Sequence, residues 1–168
     1  MESKAKFLGH PLHQMLIAFP LGLLGSATVF DGIGAATKNR RWLEASHYMI
    51  GAGVVSGLAV AVPGLIDYLA IPDGTRAKRI GLVHGVGNVI VTGLFAASWA
   101  ARRNRPARPT RGAYTASVAG TVLALVTGWL GGELVDRLRI GVDDGAHADA
   151  PSSLTTEKVP QNEERLTA

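Results

Sequence analysis

The chain predicts an all-α membrane domain, a bundle of four transmembrane helices with a disordered polar C-terminal tail. Three observations carry this expectation. Of 168 residues, 47% are hydrophobic and 18% charged, too little charge to cover a soluble domain of this length. The apolar residues fall into four runs, each at or above the roughly 20 residues that cross a bilayer. Most of the charged residues fall in the short gaps between those runs and at the two ends.

The first span covers about residues 11–36. Lys4 and Lys6 precede it in the manner of a signal peptide. The run is longer than a cleaved apolar region, and no small-x-small site ends it, so it reads as a retained helix. Pro11 suits a helix start, and Pro20 marks a bend that neighbouring helices absorb. Lys38, Asn39, Arg40 and Arg41 end the run. The second span covers about 42–71, contains Pro63, and stops at the turn signal Pro72-Asp73-Gly74. The third covers about 80–101, and the basic, Pro-containing stretch 102–111 reads as a loop. The fourth covers about 112–138. Together residues 1–142 make one domain. Residues 143–168 carry almost no large apolar groups and cannot bury a core. Gly53 and Gly57, Gly81 and Gly85, and Gly128 and Gly132 are each four apart, the spacing that lets helices approach closely in lipid.

The composition also removes whole classes of function. With no Cys, disulfides, thiolate zinc sites and cysteine-ligated iron–sulfur clusters are out. A net charge of +4 and a pI near 9.8 would ordinarily suggest nucleic acid. Here the basic residues sit beside apolar runs, which reads as topology and lipid headgroups and not as nucleic-acid binding. No phosphate loop, zincin motif or Ser-His-Asp spacing is present. The loops 38–41 and 102–111 hold eight Lys/Arg and the opposite side seven. That excess is too small to decide orientation, and it is the 102–111 loop, the densest basic block, that puts both termini outside the cytoplasm. The partner implied directly is the lipid bilayer, with a homo-oligomer open.

Polar groups from all four spans converge near the side that carries the termini. His10 and His13 open the first span, and at helical spacing they share a face. Asp67 lies about one turn before the end of the second. His84 lies about one turn into the third, with Asn88 four residues on. Glu133 lies near the end of the fourth. At roughly 1.5 Å per residue these groups fall within about 10 Å of one another in depth. Ionisable groups at such depth usually face a bundle interior. Two imidazoles on different helices suit the axial positions of a b-type haem, with His13 or His10 on one side and His84 on the other. Glycines at 81, 85, 128 and 132 leave room for a flat ring, on which Trp129 and Phe19 could pack. A divalent or redox metal ion (zinc, copper or iron) held by His10, His13, Asp67, His84 and Glu133 is the alternative. A proton or ion path, or a structural and partner-binding subunit whose polar groups simply pair, also stays open.

His10-Pro11-Leu12-His13, the run Phe19-Pro20-Leu21-Gly22, and Gly128-Trp129-Leu130-Gly131-Gly132-Glu133-Leu134-Val135 resemble the DUF2231 family of bacterial four-helix integral membrane proteins. The likeness covers about residues 7–142. It also takes in Gly64-Leu65-Ile66-Asp67-Tyr68 and Gly81-Leu82-Val83-His84. The family carries no established activity. Joining of some relatives to Rieske-type iron–sulfur domains implies an electron-transfer setting and a membrane or extracytoplasmic redox partner. The resemblance implies a multi-pass protein of the bacterial inner membrane. Relatives often place Tyr and a further His after the Gly-Gly-Glu stretch. Asp136 and Leu138 or Arg139 stand here instead, which argues against a ligand on the last turn of the fourth span.

Overall fold

The computed structural model describes residues 1–155. A small antiparallel hairpin, β1 (Lys6–Phe7) and β2 (His10–Pro11), leads into helix α1 (Leu12–Leu16) and then α2 (Ala18–Thr37), α3 (Arg40–Ala70), α4 (Arg76–Arg102) and α5 (Arg111–Gly132). A π-helical turn, Glu133–Arg137, extends α5. Four helical stretches are long and apolar enough to cross a membrane: Leu12–Thr37, Arg40–Ala70, Arg76–Arg102 and Arg111–Arg137.

The first of these is broken at Ile17, between α1 and α2. Pro20 explains the position. Its ring has no N–H to offer the carbonyl of Leu16 and crowds it sterically. The next helical bond, from the Leu21 amide to the Ile17 carbonyl, forms normally at 3.2 Å. Polar caps start the other helices: Asn39 accepts from the Arg41 amide, Thr75 from Lys78 and Thr110 from Ala113.

The helices pack as two antiparallel hairpins, α2–α3 and α4–α5, joined chiefly through α3 and α4. Glycines set the closest approaches. A Cβ at Gly53 would lie 2.5 Å from a Leu24 methyl, at Gly87 2.5 Å from the Thr127 methyl, and at Gly120 2.8 Å from the Phe95 ring. Leu24, Ala27, Ile50, Val91 and Phe95 form the buried apolar layer at mid-depth. Of the spaced glycine pairs, Gly53 and Gly57 lie inside the α2–α3 hairpin. Gly85 and Gly128 face open space, with nothing within 4 Å. Phe19 and Trp129 are exposed on the outside of the bundle, where lipid would meet them.

The 102–111 stretch is not all loop. Helix α4 continues through Arg102, and that side chain is 1% exposed. Its guanidinium reaches back between the helices to a carboxylate. A charge so paired can stay in the bundle, whereas an unpaired one would be driven to the surface. Of the polar tail, residues 143–155 form turns against the N-terminal segment. Asp143 lies 3.7 Å from Lys6, and Asp144 lies 3.8 Å from the N-terminal ammonium. The remainder of the tail expected to be disordered, 156–168, lies outside the described residues.

Candidate functional site

Two polar centres lie at opposite ends of the bundle. The one on the terminal side is built around His13 and His84. His13 sits on α1, the short helix that Pro20 sets apart. Its Nδ1 lies 3.0 Å from the Val60 carbonyl of α3. A carbonyl only accepts, so Nδ1 carries the proton. The seat is made by Pro63-Gly64. Pro63 leaves the neighbouring Ala59 carbonyl without a helical donor, and Gly64 has no side chain to block the ring. A Cβ there would lie 2.6 Å from His13 Nδ1.

His84 is held in the same way from α5. Its Nδ1 donates to the Thr127 carbonyl at 2.8 Å, and a Cβ at Gly131 would stand 3.1 Å from its Cε1. The Asn88 amide nitrogen donates to His84 Nε2 at 3.0 Å, and the Asn88 oxygen accepts from the Thr127 hydroxyl at 2.8 Å. The ring is therefore a neutral imidazole with both nitrogens engaged. The centres of the His13 and His84 rings are 6.3 Å apart, and their planes cross at 76°. His13 and His84, carried by the first and third spans, are thus neighbours.

The other residues singled out from the sequence lie elsewhere. His10 is on β2, outside any helix. Leu8 at φ 49° and Gly9 at φ 84° turn the chain into a hairpin, so the helical spacing of His10 and His13 does not apply. His10 is exposed and 3.2 Å from the Ser153 hydroxyl. Asp67 anchors the N-terminal segment, accepting from the Ser3 hydroxyl at 2.8 and 2.9 Å, the Lys4 amide at 2.6 Å and the Ala5 amide at 3.2 Å. Glu133 pairs with Arg76 across the end of α4. Among the described residues, no group of three or more His, Asp or Glu side chains is gathered as a metal ion would need.

The second centre was not anticipated from the sequence. Arg102 forms a two-pronged pair with Asp31 of α2, at 2.8 and 3.0 Å. Its remaining protons reach Ser98, Ser46 and Ser117 and the carbonyls of Ser98 and Ala113. The Tyr114 ring lies 5.9 Å from the guanidinium. Beside it, His47 stacks on Trp99 with ring centres 5.7 Å apart, and its Nδ1 is buried without a hydrogen-bond partner. The available signal was Asp31, the one acid inside the first apolar run. Its partner, 71 positions on, looked like part of a basic loop. Thr127, Gly64 and Gly131 were also missed as parts of the histidine site.

No curated protein and no solved structure matches the chain. A family model described as a predicted membrane protein, DUF2231, matches residues 9–144. That match spans every helix and both polar centres, and the chain belongs to the DUF2231 family.

Proposed function

We propose that this membrane protein is an electron carrier in which His13 and His84 are the axial ligands of a b-type haem. The observation that carries the reading is the spacing of the two rings together with the way each is held. Both donate Nδ1–H to a main-chain carbonyl, the support that ligating imidazoles ordinarily have, which leaves the Nε2 side for a metal. Two metal–nitrogen bonds of about 2 Å each, plus about one ångström from nitrogen to ring centre on either side, separate such rings by about 6 Å. The observed separation is 6.3 Å.

A haem suits the pair better than a bare ion. Asp67 and Glu133 are engaged elsewhere, so the protein offers two ligands, and a porphyrin brings its own equatorial nitrogens. Gly85 and Gly128 are exposed on the outside of the bundle with open space beside them, so a porphyrin has to be admitted by separation of the helices. Binding requires the Asn88 amide to release Nε2. The site lies towards the terminal side, so the redox partner is a membrane or extracytoplasmic protein there. On this reading the protein spans the bacterial plasma membrane with both termini outside the cytoplasm.

A second reading is favoured by one observation. His84 already has both nitrogens satisfied by Thr127 and Asn88, as in a purely structural polar knot of a partner-binding subunit. Absorbance spectra of detergent-purified protein, produced with haem supplied, separate the two. A reducible Soret band that disappears in both His13→Ala and His84→Ala, and survives in His10→Ala, supports the haem. A folded, helical protein with no Soret band after haem loading overturns it. Stoichiometric metal without that band points to the ion instead.

A further inference from the structure

The two ends of the bundle carry their exposed cations in unequal surroundings. At the end opposite the termini, Lys38, Arg40 and Arg41 flank the α2–α3 turn. Arg103, Arg105, Arg108 and Arg111 occupy the α4–α5 connection. All seven are exposed, and among the described residues the single exposed carboxylate at that end is Glu44. Asp31, which might have offset them, is buried under Arg102. Among the described residues, none of the seven is in an ion pair. At the terminal end three of the seven cations are in ion pairs, Lys6 with Glu2, Arg76 with Glu133 and Lys78 with Asp73, and Asp136, Asp143 and Asp144 are further exposed acids there. Between the start of α3 and the α4–α5 connection lies an open groove of about 460 Å³. It is lined by Arg105, Pro106, Ala107, Arg108 and Glu44.

We infer that this groove and the cations around it bind the headgroup of an anionic phospholipid from the leaflet in which that end is embedded. The placement fits a lipid. Arg102 is the last helical residue of α4 and lies inside the bundle, so the exposed arginines begin one position beyond it, at headgroup depth. Apolar Pro106 and Ala107 between the two arginines suit a site open on one side to acyl chains. Each Lys or Arg near an anionic surface adds to the attraction, and here acidic neighbours offset little of it. The inference is independent of the haem, which concerns the opposite end.

The test uses the full chain in detergent micelles, doped with phosphatidylglycerol, with phosphatidylcholine, or with inorganic phosphate in solution. Retained lipid is read by native mass spectrometry and thermal stability by scanning. Phosphatidylglycerol should be retained in preference and raise the melting temperature, while phosphatidylcholine and inorganic phosphate do neither. Arg105→Gln with Arg108→Gln should reduce that retention on the order of tenfold. Arg76→Gln with Lys78→Gln at the other end should leave it unchanged. Equal retention of both lipids overturns the inference, and so does an equal effect of inorganic phosphate. A loss as large in the terminal-end variant also overturns it, since only net charge would then be acting.

Discussion

Gly64 and Arg102 decide more at the residue scale than any of the titratable groups the sequence brings forward. A methyl at position 64 would stand 2.6 Å from His13 Nδ1 and 2.9 Å from its Cε1. Gly64→Ala should therefore cost about 1–3 kcal/mol by overpacking, read as a lower melting temperature in detergent. It should also displace His13, weakening any haem absorbance by more than Gly85→Ala does, since nothing stands within 4 Å of Gly85. Arg102→Leu leaves Asp31 a buried carboxylate without its partner, which should destabilise by about 3–5 kcal/mol. Removing both charges, Asp31→Leu with Arg102→Leu, should recover most of that loss. Denaturant titrations of the single and double variants measure the coupling. A double variant as unstable as the two losses summed would show that the pair itself contributes nothing.

At the scale of elements, two irregularities place the histidine pair. The break at Ile17 separates α1 from α2, and Gly64 lets the His13 ring approach α3. Pro20→Ala restores the missing amide and should join α1 to α2. The expected result is loss of the His13–Val60 contact, seen as a shifted His13 ring resonance, with overall helicity unchanged. The N-terminal segment is tied to α3 by Asp67 alone among the acids. A hydrogen bond to a charged group contributes about 1.5–3 kcal/mol. Asp67→Ala should therefore speed hydrogen exchange at Lys4 and Ala5 by roughly tenfold or more, while α3 stays protected. Unchanged exchange there would mean that the hairpin and the 139–144 contacts hold the segment without Asp67.

Across the whole molecule, the polar centres sit at the two ends and the apolar layer of Ile50, Val91 and Phe95 lies between them. The chain has no cysteine, so single introduced thiols report topology without background. With the termini outside the cytoplasm, Ala146→Cys should react with an impermeant maleimide in intact cells, and Ala107→Cys only after permeabilisation. The reverse pattern would invert the orientation, and with it the side from which an electron partner approaches. Withdrawing Arg102 into the bundle makes the Lys/Arg counts of the two sides equal. Orientation then rests on the density of the 103–111 block and its lack of acidic neighbours.

What could be read from the sequence follows from local chemistry. Four apolar stretches of bilayer length dictate four helices, because the backbone has no other way to satisfy its hydrogen bonds in lipid. The i, i+4 relation of His84 and Asn88 places them on one helix face without any knowledge of neighbours. Long-range pairing was not readable. Asp67 and Glu133 have the depth of ligands but are taken up by the N-terminal segment and by Arg76. His10 has helical spacing from His13 but lies on a strand, because the positive-φ turn at Leu8 and Gly9 folds it back against Phe7. Arg102 looked like loop until Asp31 was brought against it. Apolar length determines which segments span. Only packing decides which polar side chains meet, since each contact joins helices whose register and facing are fixed by glycines and prolines far apart in the chain.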